Sequence, residues 1–193
     1  MKPIIYQIDF FTNWHTSSGL SGSTYADLLV IKTSENLPFI PGKTLKGLLR
    51  EAAESIHELN KELVTADFIG HVFGLSPTKK EMENEVYTKE AACYFSNAYL
   101  SKKLTSGITK EKSSHLYKVI SSTKIDKNGI AEDSSLRQLE VTIPLILYAK
   151  VEHFPNDEAY LTQLEHCLSW VKRIGLNRSR GLGRCKFSIL KES

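Results

Sequence analysis

The sequence predicts an α+β fold in which two helices cover an antiparallel sheet. Two segments place apolar residues at three- and four-residue spacing, which is the pattern of helices with one buried face. The segments around them alternate apolar and polar residues and are rich in β-branched and aromatic types. The resulting order of elements (β, β, α, short α, β, arm, β, α, β) indicates a split βαβ, ferredoxin-like topology.

Composition limits the class of protein. The chain has 193 residues, of which 41% are hydrophobic and 24% charged, typical of one globular domain rather than a disordered chain. The longest apolar runs, such as residues 143–149, are far shorter than the roughly 20 residues of a membrane helix. Residues 1–9 lack a signal-peptide pattern, and Cys93, Cys167 and Cys185 form no disulfide or zinc pattern. We therefore expect a cytoplasmic protein that does not interact with membranes.

The first third of the chain is predicted to form two strands and a long helix. Residues 4–11 and 25–32 have strand patterns, and the small residues 12–23 form a loop that can approach a ligand closely. Thr44 is predicted to cap the helix, because its hydroxyl can accept a first-turn N–H. The apolar stripe of this helix comprises Leu45, Leu48, Leu49, Ala52, Ala53, Ile56, Leu59 and Leu63.

The middle of the chain contains a segment of different composition. A short helix over residues 66–73, ended by Gly74, and a strand over residues 91–100 precede it. Residues 101–137 are rich in Lys, Ser and Thr, and residues 126–129 include an Asn-Gly pair, a strong hairpin signal. We interpret residues 101–137 as an inserted arm within a single domain that spans residues 1–193.

The last third returns to regular elements. Residues 139–152 are predicted to form a long strand or one half of a hairpin, with Pro144 at an edge or a bulge. Asn156 is predicted to cap a second helix, and Gly175 to end it. Residues 184–190 read as a closing strand. The second helix has an apolar stripe that comprises Leu161, Leu164, Leu168 and Val171.

Charge is more informative in its distribution than in its total. The chain has 25 Lys and Arg against 22 Asp and Glu, a formal net charge of +3. Residues 172–186 and 43–50 are basic without a single acid, and residues 102–127 contain seven lysines and two acids. Basic loops and acidic helices indicate a face for a polyanion. Chance clustering on a solvated surface is the alternative.

A loop rich in glycine and arginine connects the second helix to the last strand. Residues 176–184 read Leu-Asn-Arg-Ser-Arg-Gly-Leu-Gly-Arg, so that glycines can bring backbone N–H groups to a phosphate and arginines can add bidentate donors. The loop is not a P-loop, because the Gly-Lys-Ser/Thr ending is missing and a strand follows. The alternative is a tight helix-to-strand turn with exposed arginines.

The start of the first helix is a second candidate anion site. Gly42 precedes a helix N-terminus that carries Lys43, Thr44 and Lys46, and Arg50 shares a face with Lys46. Free amide groups, the positive end of the helix dipole and nearby cations suit an anion. Ordinary helix capping and solubility are the alternative.

These segments together resemble a known family. Residues 40–50, Ile-Pro-Gly-Lys-Thr-Leu-Lys-Gly-Leu-Leu-Arg, resemble a motif of the RAMP proteins of CRISPR systems, and residues 177–184 resemble their C-terminal glycine-rich loop. Further parts of the crRNA-binding backbone subunit of type III complexes are resembled by residues 14–16 with 19–23, 73–74 with 94–98, and 124–129 with 136–140. The family pattern has two serines where this chain has Lys43-Thr44, and often an aspartate at Asn97.

The resemblance implies a modified RNA-recognition-motif fold with a thumb inside residues 101–137, where Lys124, Ile125 and Asp126 match the thumb region. Family members stack along a crRNA and kink the guide–target duplex, which exposes a target nucleotide. Asp27 matches the aspartate that the family needs for cleavage of target RNA. The positions that match RNA contacts are His15, Lys43, Thr44, Lys46, Arg50, Asn177, Arg178, Ser179, Arg180, Gly181, Gly183 and Arg184.

The implied function is an RNA-guided ribonuclease subunit. A splayed nucleotide aligns its own 2′-OH for attack on the phosphorus, and Asp27 would take the proton or hold a divalent metal such as Mg²⁺ or Mn²⁺. Its expected partners are crRNA, target RNA and other effector subunits, including further RAMP copies. Without the resemblance, Asp27 reads as a surface acid at the start of a strand.

Two other functions remain open at the level of sequence. The chain could be a purely structural RNA-binding subunit, or a RAMP endonuclease that processes precursor crRNA alone and uses a histidine such as His15 as acid and base. Other chemistries have little support, since the six histidines are scattered and neither a Gly-x-Ser-x-Gly elbow nor a Cys–His nucleophile pattern occurs.

Overall fold

The computed structural model describes residues 3–21, 26–74, 90–130, 132 and 134–190, with two four-stranded sheets. The first sheet has the order β4-β7-β1-β8, with β1 at Ile4–Phe10, β4 at Tyr94–Phe95, β7 at Ile146–Glu152 and β8 at Cys185–Ile189. The second sheet has the order β2-β3-β6-β5, with β2 at Ser17–Ser21, β3 at Leu28–Val30, β5 at Tyr117–Ser122 and β6 at Arg137–Thr142. The predicted α+β class is confirmed, with two sheets where the prediction had one.

Four α-helices accompany the sheets in the described part of the chain. They are α1 at Gly42–Leu59, α2 at Ala66–Phe73, α3 at Lys102–Thr105 and α4 at Glu158–Trp170. Two 3₁₀ turns, Lys112–Leu116 and Arg178–Arg180, complete the set. None of the described helices is long and apolar enough to cross a membrane.

The main core lies between the first sheet and the helices. On β1, Tyr6, Ile8 and Phe10 are buried, as the two-residue repeat of a strand requires. Helix α1 packs on α4, α2 and β4 through its apolar stripe. The buried members of that stripe are Leu45, Leu49, Ala52, Ala53 and Ile56.

All three cysteines belong to this core and none forms a disulfide. Cys93 precedes β4, Cys167 lies on α4 and Cys185 begins β8. Burial raises the pKa of Cys93 to about 11, and the pKa of both Cys167 and Cys185 to about 12. The thiols are therefore protonated and apolar in the folded protein.

The predicted caps of both long helices are wrong. Helix α1 begins at Gly42 with Pro41 as its N-cap, and Thr44 lies inside the first turn, where its N–H bonds to the Pro41 carbonyl. Helix α4 is capped by Asp157, not Asn156, because the Asp157 carboxylate accepts the amide of Ala159 at 2.8 Å. An aspartate one residue later satisfies the free amides equally well.

Both long helices end earlier than the sequence predicts. Helix α1 ends at Leu59, so Leu63 lies outside it, and helix α4 ends at Trp170. Gly175 therefore does not end a helix. It packs against the loop after β1, which is described below.

The predicted strand at residues 139–152 is two strands in different sheets. Strand β6 ends at Thr142 and β7 begins at Ile146, with Pro144 in the break between them. The amide of Ile143 bonds to Leu116 near the second sheet, whereas the carbonyl of Leu145 accepts the amide of Phe10 at the first. The chain thus passes from the second sheet to the first at Pro144, so one continuous apolar run contributes strands to both sheets.

The second sheet has a partly polar interior. Strands β5 and β6 are antiparallel, and β3 runs parallel to β6 through the single register pair Leu28–Leu139. Five buried polar or charged residues lie on this sheet or beside it, namely His15, Thr16, Ser113, Glu140 and Thr142.

Residues 101–137 contain α3, a 3₁₀ turn and strand β5, which pairs with β6. The predicted turn at the Asn-Gly pair is present, since the amide of Gly129 bonds to the carbonyl of Asp126 at 3.1 Å. The strand predicted over residues 91–100 is limited to Tyr94–Phe95, with isolated bridges at Ala98 and Tyr99.

Candidate RNA interface

The glycine-rich loop between α4 and β8 rests on the segment that follows β1. The Leu176 amide bonds to the His15 carbonyl at 3.0 Å, and the Gly183 amide bonds to the Asn13 carbonyl at 2.8 Å. The Arg184 amide donates to the Thr12 hydroxyl at 3.0 Å. The base of the loop is thus held by the protein itself, which presents the tip as a fixed surface.

Two glycines at the base of the loop are required by close packing. A Cβ on Gly175 would lie 2.0 Å from the His15 carbonyl oxygen, and one on Gly183 would lie 1.8 Å from the Ile174 carbonyl oxygen. Gly181 shares a left-handed φ, +88°, with these two glycines, but open space surrounds it. The interpretation that these glycines bring amides to a phosphate is therefore corrected for Gly183, whose N–H is already bonded.

The side chains of the loop face solvent. Arg178, Ser179, Arg180 and Arg184 are exposed, and Asn177 is half-buried with a left-handed φ of 56°. The predicted set of loop cations is therefore available for an anionic ligand. The described part of the chain contains no ion pair between these arginines and a carboxylate.

Asp27 and the glycine-rich loop line the same groove. This groove, which we call the Asp27 groove, has a volume of about 640 Å³ and includes Arg137, Asn177 and Arg180. Asp27 is exposed, and its Oδ2 accepts the Gln138 amide at 2.7 Å while its own amide donates to the Gln138 carbonyl at 2.9 Å. The structure thus brings together a carboxylate and arginines from segments far apart in the chain.

The start of α1 is a less open anion site than the sequence indicates. The Gly42 amide donates to Asn97 Oδ1 at 2.8 Å, and the amides of Thr44 and Leu45 bond to the Pro41 carbonyl. A Cβ on Gly42 would lie 2.0 Å from the Phe95 carbonyl oxygen, so this glycine serves packing. Three first-turn amides are therefore used within the protein, one of them by Asn97, which departs from the family pattern.

The cations of α1 lie apart from the glycine-rich loop. Lys43 is exposed, Arg50 Nε pairs with Glu54 at 2.7 Å, and the charge of Lys46 acts on the Cys93 thiol, whose pKa it lowers against the larger effect of burial. The opposite flank of α1, which carries Leu48, faces the loop. The structure therefore does not unite the two predicted basic sites in one groove.

His15 does not lie on the surface. Its side chain is fully buried, Nδ1 lies 2.7 Å from the Glu140 carbonyl oxygen, and Nε2 has no partner. Burial lowers the pKa of His15, although the Glu140 carbonyl and carboxylate act in the opposite direction. The predicted contact between this side chain and RNA disagrees with the structure. The His15 carbonyl instead supports the glycine-rich loop.

Glu140 was not predicted as a site residue, but it contacts both Val30 of β3 and the His15 side chain. Its side chain is 3% exposed, and its carboxylate accepts the Val30 amide at 3.0 Å and Lys32 Nζ at 2.8 Å. A glutamate between Leu139 and Val141 in an apolar strand is the signal that could have identified it.

The predicted thumb residues lie in an exposed segment. Lys124 pairs with Glu132 at 2.8 Å, and Ile125 is exposed. The Asp126 carboxylate accepts the amides of Ile130 and Asn128, which lowers its pKa. These contacts close the turn; the role of the three residues as a thumb stays a prediction.

The described residues contain no group of three or more His, Cys, Asp or Glu side chains arranged to hold a metal ion. Asp27 stands as a single carboxylate in its groove. Such a site can share a divalent cation with the phosphates of a bound nucleic acid, since Mg²⁺ often binds one or two carboxylates plus substrate oxygens.

Comparisons with known proteins agree with this architecture. One solved structure, described as type III-B Cmr-beta bound to cognate target RNA, matches with a TM-score of 0.72 and 11% identity over 98% of this chain and 97% of its own. A second, described as the apo state of type III-B Cmr-beta, matches with a TM-score of 0.68 and 14% identity over 98% of both chains. No curated protein matches. Residues 7–186 match the model of the RAMP superfamily, and the chain therefore belongs to that superfamily.

Proposed function

We propose that this chain is an RNA-binding subunit of a type III CRISPR effector complex and that it cleaves bound target RNA with the help of Asp27. Its membership of the RAMP superfamily and its likeness to Cmr-beta chains support the assignment to such a complex. The observation that carries the proposal is the Asp27 groove, in which a carboxylate lies with Arg137, Asn177 and Arg180.

RNA binding depends mainly on contacts with the phosphate backbone. The exposed arginines of the glycine-rich loop can neutralise phosphates, so the affinity for RNA falls as the salt concentration rises. Contacts of this kind position an RNA and carry little sequence information. The guide sequence is read by base pairing, and the partners of the chain are crRNA, target RNA and further subunits, including RAMP copies.

Cleavage follows from the chemistry of RNA. The 2′-oxygen of a splayed nucleotide attacks the adjacent phosphorus, and the bond from phosphorus to the 5′-oxygen breaks. The Gln138 amide holds Asp27 Oδ2, so Oδ1 is the oxygen that takes the 2′-hydroxyl proton. Water returns a proton to the 5′-oxygen. Arg137 and Arg180 stabilise the charge that develops on the phosphate.

A divalent metal, Mg²⁺ or Mn²⁺, fits this arrangement. In that case Asp27 Oδ1 would hold the metal instead of taking the proton, and the phosphates of the RNA would supply further ligands. When bound, the metal would act as a Lewis acid on the phosphate.

The first experiment is to purify the chain with its natural neighbours and to sequence the RNA that is protected from nuclease. Protected RNAs with one repeat-derived end are expected. Asp27→Asn retains an oxygen that can accept the Gln138 amide, so it tests the charge alone. We expect it to retain the guide and to lose target cleavage by at least about 100-fold, the scale of general-base catalysis.

Glu58→Gln, which removes an exposed acid on α1, is the matched control and should cleave normally. Full activity of Asp27→Asn would show that Asp27 is not the base.

A non-cleaving RNA-binding subunit is the second candidate function. The two hydrogen bonds between Asp27 and Gln138 favour it, because they give Asp27 a structural role at the edge of β3. The stand-alone endonuclease is disfavoured in the form that uses His15, since that side chain is buried. Cleavage that survives a chelator and needs no complementary guide would restore it.

A further inference from the structure

A second groove lies between α1 and the glycine-rich loop. It has a volume of about 300 Å³ and is lined by Leu48, Glu51 and Ser55 of α1 and by Trp170, Arg173 and Arg178, among others. We call it the Trp170 groove. It shares no lining residue with the Asp27 groove, and the glycine-rich loop contributes to both.

Trp170 presents an exposed aromatic ring at the edge of this groove. It is the last residue of α4 and is 48% exposed, whereas the neighbouring Val171 is buried in the core. The other tryptophan of the chain, Trp14, is fully buried and stacks on Phe10. An exposed indole beside a groove offers an apolar face and a polar N–H to a ligand.

The charge around Trp170 is positive. Lys172, Arg173 and Arg178 line the groove and are exposed, against the single acid Glu51. Within the described residues, none of the three cations pairs with a carboxylate.

Arg173 is held in place. Its guanidinium donates to the Arg178 carbonyl at 2.9 Å, and its backbone bridges to Arg184. The Arg173 guanidinium is therefore held at the groove before any ligand arrives.

We propose that the Trp170 groove binds one unpaired nucleotide of RNA, with its base stacked on the Trp170 ring and its phosphate on Arg173 and Arg178. Aromatic platforms beside cationic grooves are how proteins hold single strands. A volume near 300 Å³ lies at the lower end of small-ligand sites, so the groove fits a nucleotide rather than a duplex. The cations favour RNA over a neighbouring protein as the occupant. This inference rests on the proposed RNA-binding function and adds a contact to it.

The two tryptophans make a direct test possible. Trp14 is fully buried, so acrylamide quenching of the full-length chain reports mainly on Trp170. We expect a single-stranded oligouridylate, added to protein freed of RNA by high salt, to quench the emission and to protect Trp170 from acrylamide.

Trp170→Leu should lower the affinity for oligouridylate by about 5- to 150-fold, because a base stack contributes about 1–3 kcal/mol. Trp170→Phe keeps a ring, so it should bind within a few-fold of the wild type and give no quenching signal. Tyr94→Leu, which removes an exposed ring on β4, is the matched control and should bind as the wild type does.

Three results would overturn the inference. If the wild type binds oligouridylate without a change at Trp170 and Trp170→Leu binds equally well, the groove holds no base and the proposed function stands. If Trp170→Leu loses copurifying subunits but keeps its affinity for RNA, the groove is a protein interface. If the wild type binds no RNA, with or without its neighbours, the proposed function fails together with the inference.

Discussion

The two sheets of this molecule are stabilised by different interactions. The first sheet packs against α1 and α4 through apolar side chains, including Tyr6, Ile8 and Leu147. The second sheet has polar side chains inside, and five of the six buried polar or charged residues in the described part lie on it or beside it. Burial of apolar surface stabilises the first sheet, whereas the second sheet combines buried apolar residues such as Val141 with buried polar ones, of which Glu140 is paired.

This difference shows where the candidate site obtains its geometry. Strand β3, which follows Asp27, has only one register pair with β6, Leu28 with Leu139. The bonds from Asp27 to Gln138 and from Glu140 to Val30 supply what a longer ladder would provide. Polar pairs have strict distance and angle requirements, so they fix the position of Asp27 more tightly than apolar packing would.

The largest expected loss of stability is in the apolar half. Leu49→Ala removes a fully buried side chain of α1 and should lower the free energy of unfolding by about 4 kcal/mol, measured by urea denaturation. Leu59→Ala, at an exposed position of the same helix, should change it by less than about 0.5 kcal/mol. Equal losses for the two variants would contradict the packing described here.

Substitution of Glu140 tests whether buried polar contacts stabilise the second sheet. Glu140→Ala leaves the Val30 amide and Lys32 without their acceptor, and we expect a loss of about 3 kcal/mol in the free energy of unfolding. Lys124→Ala breaks an exposed ion pair and should cost less than about 0.5 kcal/mol in the same assay. A neutral result for Glu140→Ala would mean that the second sheet does not need its buried charge.

The loop that rests on the segment between the sheets comes next. Gly175→Ala forces a Cβ against the His15 carbonyl and should cost more than about 2 kcal/mol, whereas Gly181→Ala meets open space and should cost about 1 kcal/mol for its left-handed φ. Thermal unfolding measures both. If Gly181→Ala proves the more damaging variant, the assigned roles of the two glycines are reversed.

The smallest effect is the dependence of stability on pH. Burial lowers the folded pKa of His15, so the unfolded state binds more protons in acid. The contribution is full above the unfolded value near 6.5 and is lost as the pH falls toward the folded value. His15→Gln should therefore flatten the decline of stability between pH 7.5 and 5.5. His115→Gln, at an exposed position, should leave the decline unchanged.

Helix α1 and strand β1 could be predicted from the sequence because their patterns are local. The stripe from Leu45 to Ile56 and the alternation on β1 depend on neighbours within a few residues. The second sheet was missed because the contacts that join the β3 region to β6 connect residues 108 to 111 positions apart, as between Lys32 and Glu140 or Asp27 and Gln138. Periodicity carries no information about such partners.

In the candidate site too, some features could be predicted from the local sequence and others depend on long-range contacts. The exposure of Arg178 and Arg180 was expected from a loop rich in glycine and arginine. The burial of His15 was not, because the loop sequence gives no sign that Glu140, 125 positions away, lies against its ring. Whether a polar side chain faces solvent is decided by tertiary contacts that a motif does not record.

The three buried cysteines can report local unfolding of the elements around the first sheet. With thiol pKa values of about 11 to 12, fewer than about one thiol in a thousand is a thiolate at pH 7.5. Alkylating reagents and oxidants therefore react only when a segment opens. Cys93 lies just before β4, Cys167 on α4 and Cys185 at the start of β8. Their separate rates of alkylation would show in which order β4, α4 and β8 detach, without any introduced label.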